Sequence, residues 1–289
     1  MYPAPFEYHR ASSVDEALAL LSQYGDDGKL IAGGHSLLPV MKLRFARLAH
    51  LIDIRRIPEL AGIREESGVL CIGATTTHAA VAASDVIRQR VPMLAEAAGK
   101  IADAQVRNMG TIGGSLAHAD PAADLPAVTL ALGAELRAVG RRGPRSIPVD
   151  EFFTGMFSSA LASDEVLVEV RIPLPPKRTG GAYEKYPDPA SGYAVVGVAA
   201  VVTLREDGVV QRARVAITGY ASSAARLTSV EEALTGKAVT PEHIEAAARR
   251  AIEGLEPRDG TGGNAAHKAN LVAVYTRRAL ARAADGARR

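Results

Sequence analysis

The sequence predicts an α+β chain of more than one module, and three observations carry that expectation. Its 289 residues exceed what most single hydrophobic cores hold, so two or three units of ordinary size are expected. Short apolar strand-like runs alternate with helix starts ahead of a breaker cluster, Pro173-Leu-Pro-Pro176-Lys-Arg-Thr-Gly-Gly181. Beyond that cluster two long β-rich runs precede a series of helices, which reads as a separate C-terminal unit with an antiparallel sheet.

Taken in order, Ser13-Val-Asp-Glu16 is a capping-box pattern with Val14, Leu18 and Leu21 on one helical face behind it. Residues 29–32 and 50–54 read as short buried strands, a β-α-β-β beginning that Leu60-Ala-Gly62 interrupts, and 69–74 reads as another strand. Thr75-Thr-Thr77 offers hydroxyl caps to a helix over 78–83, and Pro92 suits the first turn of a helix reaching about Ile101. An apolar helix is expected over 125–132, then strands at 134–139, 145–149 and 165–172. In the C-terminal unit, 193–205 and 209–217 form a hairpin across Glu206-Asp-Gly208. Helices follow from about Val230, from about Glu242 and over 266–283, with a frayed arginine-rich end at 282–289.

Composition removes several function classes. Thirty-four basic and 32 acidic residues leave a net charge of +2, too small a field to gather nucleic acid or an anionic membrane. No apolar run approaches the ~18 residues of a membrane span. The opening MYPAPFEYHR has no basic leader with an apolar core, so a cytoplasmic location is expected. The single cysteine, Cys71, sits in an apolar stretch and reads as a buried core thiol. One thiol cannot hold an iron–sulfur cluster, which takes about four thiolates. The seven histidines show no His-x-x-x-His or Glu-x-x-His spacing, so no bound metal is expected.

The chemistry concentrates in two glycine-rich stretches. Residues 29–41, KLIAGGHSLLPVM, set a strand against Ala32-Gly33-Gly34-His35-Ser36. Residues 101–126, IADAQVRNMGTIGGSLAHADPAADLP, carry Thr111-Ile112-Gly113-Gly114-Ser115 and lead to Asp124 at a helix start. Glycine runs of this density are costly unless the backbone needs positive φ or close approach to something, and unsatisfied amides near a helix start form a ready anion site. Two such loops could grip one pyrophosphate from opposite sides, with amides 33–35 and 112–114 as donors. The hydroxyls of Ser36 and Thr111 either join them or cap their own turns. Neither stretch is a Walker loop or G-x-G-x-x-G. Gly260-Thr-Gly262-Gly-Asn-Ala265 does match G-x-G-x-x-A, but no strand precedes it and it reads as a helix lead-in. Asp120 reads as a turn residue before Pro121, and His35 and His118 receive no catalytic role.

AGGHSLLPVMKLR (32–44) and VRNMGTIGGSLAHADPAADLP (106–126) resemble the two flavin loops of the FAD-binding medium subunit of molybdenum hydroxylases, the xanthine dehydrogenase and aerobic carbon monoxide dehydrogenase family. The similarity extends through LIDIRRIPEL, IGATTTHAAV, DEVLVEVRIP and YEKYPDPASGYAVVGVAA, nearly the whole chain. The resemblance implies a two-subdomain FAD-binding fold of the PCMH or vanillyl-alcohol-oxidase type over 1–176, with subdomains of about 1–60 and 61–176. A carbon monoxide dehydrogenase flavoprotein-like domain would follow over 177–289. It implies FAD as cofactor, a ribityl contact from Asp124, flavin contacts from Leu167 and Lys185, and Tyr193 near the isoalloxazine. It implies partners too: a large molybdenum–pterin subunit and a small subunit with two [2Fe–2S] clusters, in a dimer of heterotrimers. Ser115 replaces an asparagine frequent in the family, and the stretch 187–192 lacks the basic residues of xanthine-oxidising relatives, which argues against xanthine and against NAD reduction. The competing expectations are a self-sufficient flavin oxidase or reductase of the same fold and a nucleotide-binding scaffold subunit without redox activity.

Overall fold

The structure is a computed structural model of the chain, and it describes residues 2–258 and 263–289. The glycine-rich match at 260–265 therefore lies partly outside the described residues.

Among the described residues three main sheets follow one another along the chain, with a two-stranded ribbon inside the second unit. The first unit comprises β1 (Glu7–Arg10), α1 (Val14–Tyr24), β2 (Gly28–Ile31), α2 (Leu37–Lys42) and β3 (His50–Asp53). Its sheet, in the order β1-β3-β2, is parallel throughout. Parallel neighbours need a crossover, and α2 supplies the one between β2 and β3. The expected β-α-β-β beginning is thus corrected to β-α-β-α-β: β1 and α2 are too short for periodicity to reveal. Ser13 caps α1 by accepting from the amide of Glu16 at 3.1 Å, while the Glu16 carboxylate reaches back to the amide of Ser12 at 2.7 Å.

The second unit interposes helices within an antiparallel sheet. It runs through β4 (Ile63–Glu66), β5 (Val69–Gly73), α3 (His78–Ala83), α4 (Asp85–Arg90), α5 (Pro92–Gly99), α6 (Ala104–Met109), α7 (Ile112–His118) and α8 (Asp124–Leu132). It closes with β6 (Glu135–Gly140), β7 (Gly143–Pro148), the small ribbon β8 (Phe153–Gly155) and β9 (Ser158–Ser159), and β10 (Glu165–Pro173). The sheet order β4-β5-β10-β6-β7 puts β10 at the centre. Cys71 on β5 is fully buried, and burial raises its thiol pKa. Thr77 caps α3 by accepting from the amide of Ala80 at 3.2 Å.

The third unit is the sheet β11 (Thr179–Pro187), β12 (Ala194–Leu204), β13 (Val210–Thr218) and β14 (Ala225–Arg226), in that order and antiparallel. Helices α9 (Thr228–Leu234), α10 (Pro241–Ala248) and α11 (Ala265–Ala287) follow. The hairpin turns at Gly208, φ 79°, as its Glu-Asp-Gly sequence requires. β11 begins inside the breaker cluster because its glycines serve contact: a side chain at Gly180 would collide with the backbone of α11 at Ala283. The frayed end is also corrected. Ala283, Ala284 and Ala287 are buried, and Arg282 holds Glu96 at 2.8 Å and pairs with Glu184.

One core unites the second and third units. Val128 and Ala131 of α8 are buried in a cluster that includes Ala199 and Ala216 from the C-terminal sheet. The segment before α8 is stitched to β13: the Thr218 hydroxyl donates to the carbonyls of Pro121 (2.7 Å) and Ala123 (2.8 Å).

Candidate functional site

The two glycine stretches meet. A Cβ on Gly33 would lie 2.5 Å from the carbonyl oxygen of Met109 and 2.6 Å from Cα of Gly110, so only glycine permits the first loop to touch the residues that introduce the second. Gly34, φ 74°, turns the first loop toward α2. Among the described residues, the amides of 33–36 and the Ser36 hydroxyl have no hydrogen-bond partner in the chain. Ser36 and Ala32 are half-buried and His35 is exposed, so these donors face an accessible edge.

The second loop is different. Residues 112–114 are the first turn of α7, with Thr111 as N-cap. Their amides are already committed: Ile112 to the carbonyl of Thr76 at 3.0 Å, Gly113 to that of Ala74 at 2.9 Å, and Gly114 to Oγ1 of Thr111 at 3.1 Å. The expectation that amides 112–114 serve a phosphate is therefore corrected: those of Ile112 and Gly113 hold α7 on the segment that follows β5, and that of Gly114 closes the cap of α7 itself. Gly113 exists for the same contact, because a Cβ would lie 2.5 Å from that of Ala74. Gly114 is exposed, and a Cβ there would crowd Oγ1 of Thr111, the hydroxyl that caps this turn, at 2.8 Å. The half-buried Ser115 points its hydroxyl from the same turn with no partner among the described residues.

Asp124 is the first residue of α8, one place past the N-cap Ala123, which makes no side-chain cap. It is buried and held by Tyr183, whose hydroxyl donates at 2.5 Å, and by Lys185, whose ammonium lies 2.8 Å away. Tyr183 and Lys185 alternate along β11 and so share a face. Burial pushes the Asp124 carboxyl above its ordinary range against the pull of Lys185. It also pushes the Tyr183 phenol well up, so Tyr183 remains the donor. Lys185 reaches the carbonyl of Lys100 as well, at 3.2 Å. Tyr193, at the mouth of the β11–β12 loop, is half-exposed, and burial with Asp120 and Asp124 nearby raises its phenol pKa. Leu167 is buried at the bulge of β10, in the same cluster as Ile112 and Leu116 of α7.

Two contributors are not evident from the sequence. Tyr183 shares a strand face with Lys185, and that i, i+2 spacing is the signal available. His78 begins α3 with its amide on the carbonyl of Gly110 at 2.9 Å and its ring against Gly110, directly behind the contact between the loops. Its Nδ1 is buried with no partner, and burial, with His35 nearby, lowers its pKa to about 4.

An accessible row of open amides beside a glycine-faced helix turn, with an ordered aspartate, lysine and tyrosine where the next helix begins, fits a dinucleotide carrying phosphates at one end and a ring at the other. The family described as FAD binding domain in molybdopterin dehydrogenase matches residues 4–175, and the CO dehydrogenase flavoprotein C-terminal domain matches 181–283. The chain belongs to this family, the FAD-binding medium subunits of the molybdenum hydroxylases. It is 47% identical to the carbon monoxide dehydrogenase medium chain of Hydrogenophaga pseudoflava, over 97% of each chain. It is 43% identical to the 6-hydroxypseudooxynicotine dehydrogenase complex subunit alpha of Paenarthrobacter nicotinovorans, over 100% of this chain and 97% of that one. The carbon monoxide dehydrogenase structure from H. pseudoflava superposes with a TM-score of 0.95 at 48% identity and 98% coverage of both chains. Quinoline 2-oxidoreductase from Pseudomonas putida 86 gives 0.93 at 33% and 99% of both. By name these relatives are a medium chain and a subunit of a dehydrogenase complex. No described helix is long and apolar enough to cross a membrane.

Proposed function

We propose that this chain relays electrons within its complex, from the iron–sulfur clusters of a small subunit to an external acceptor, while a molybdenum subunit oxidises the substrate. The observation that carries the reading is the meeting of the two glycine stretches at Gly33 and Gly110, with amides 33–36 left open. These amides, with Ser36, Ser115 and the uncluttered backbone at Gly114, would hold the pyrophosphate. Thr111, Ile112 and Gly113 support that turn from behind, and Ala32 and His35 frame the first loop. Asp124 and Lys185, already ordered by one another, would face the ribityl and ring portions, with Leu167 and Tyr193 as apolar walls. Bound FAD supplies the redox chemistry. The protein's share is to orient it and leave its edge accessible, which asks no acid, base or nucleophile of this chain.

The proposal includes a division into 1–176 and 177–289, supported by sheets none of which, among the described residues, crosses residue 176, and assembly as a dimer of heterotrimers. It includes cytoplasmic residence, which cell fractionation tests. The central experiment mixes the purified chain with FAD and candidate substrates anaerobically, then adds the cluster and molybdenum subunits while following flavin absorbance. Bleaching only after both partners are present is expected. Bleaching by substrate alone would replace the relay with a self-sufficient oxidase or reductase.

A further inference from the structure

The parallel pairing of β1 with β3 assembles three potential metal donors, two from one strand and one from a strand about forty residues further along the chain. Glu7 stands directly opposite His50 in the register, and His9, two residues along β1, shares their face. Nε2 of His9 and Nδ1 of His50 are 3.1 Å apart, and Oε2 of Glu7 lies 3.4 Å from the latter and 3.8 Å from the former. Ligands 2.0–2.1 Å from a tetrahedral zinc ion are separated by about 3.3–3.4 Å, so these three spacings bracket the edge of one face of that tetrahedron. Both imidazoles are already oriented. The Tyr24 ring stacks on His50 at 3.7 Å and on His9 at 4.8 Å, so little ordering remains to be done on binding. A single shared proton links only one pair of these atoms at a time, whereas a divalent ion satisfies all three lone pairs together.

We infer that Glu7, His9 and His50 form a binding site for one divalent transition-metal ion of the zinc type, with a fourth position open to solvent, which clasps the edge strand β1 to β3. The expectation of no metal rests on local spacing, and these donors converge only across the sheet. The test is calorimetric titration of Zn2+ alone into the tag-free full-length chain, for the wild type and for Glu7→Gln and His9→Gln/His50→Gln. One saturable equivalent is expected for the wild type. Glu7 is exposed, so Glu7→Gln retains the fold, and its affinity should fall by more than about tenfold, a loss in the range even outer-shell partners carry. The double variant should lose the equivalent while keeping the wild-type circular dichroism. Absence of a saturable equivalent in the wild type, or an equivalent unchanged in the variants, overturns the site.

Discussion

Gly33 and Gly114 both lack a side chain, for different reasons that mutation can separate. At Gly33 a Cβ collides with backbone on a neighbouring segment, so Gly33→Val should disrupt folding and flavin binding together. At Gly114 it crowds the Thr111 hydroxyl at 2.8 Å and no backbone, so the loss is that of one helix cap, about 1 kcal/mol. Gly114→Val is therefore expected to keep the fold and lose bound FAD, measured as the flavin-to-protein ratio of folded protein. Full FAD content in that variant would remove Gly114 from the site. His78 gives a second prediction at this scale. Its folded pKa of about 4 lies below the ordinary 6.5, so between those values the unfolded chain binds the extra proton and stability falls as pH drops through the window. The full loss is roughly 3 kcal/mol, since each tenfold change in proton affinity is worth about 1.4 kcal/mol. His78→Gln should flatten that part of the profile in urea titrations from pH 7 to 4, and parallel profiles for the two proteins would show that His78 is not the source.

Among the elements, α8 and β11 are joined by a charge pair that neither could carry alone. The side chains of Asp124 and Lys185 are about one-twentieth exposed, so removing one strands the other in the interior. Lys185→Met is expected to cost about 3–5 kcal/mol in chemical denaturation. Asp124→Asn/Lys185→Met should recover most of that, because the Tyr183 hydroxyl still finds an acceptor. A cost for Lys185→Met below about 1 kcal/mol would mean that water reaches the pair. Asp124→Ala is for this reason a poor probe of flavin binding: it unbalances Lys185 as well as any cofactor contact. The pairing also explains why an aspartate at a helix start serves β11.

At the scale of the whole molecule, the C-terminal unit completes the core of the flavin-loop unit. Ala199 and Ala216 pack in the cluster that surrounds α8, and Arg214 donates to the Leu130 carbonyl at 2.8 Å. A fragment of residues 1–176 would expose the apolar side of α8 to water. It is expected to lack a cooperative thermal transition and to retain no FAD, checked by circular dichroism and absorbance. A folded, yellow fragment would show that the C-terminal unit serves only to dock partners.

The long β-runs, the capped helices at 14 and 78, the Glu-Asp-Gly hairpin and the two glycine loops are legible in the sequence, because each is written in local periodicity or turn chemistry. Short or interrupted elements are not. β1, α2 and α7 depend on partners distant in the chain, and β11 hides behind glycines that its contact with α11 requires. By itself the sequence determined the class of fold, the family resemblance and the residues from which a flavin site could be built. Which loop amides stay open, which carboxylate is paired, and that Glu7, His9 and His50 converge were decided only by tertiary structure. Hydrogen-bond partners and charge partners are set by proximity in space, and here that proximity joins Asp124 to Lys185 across 61 positions and His9 to His50 across 41.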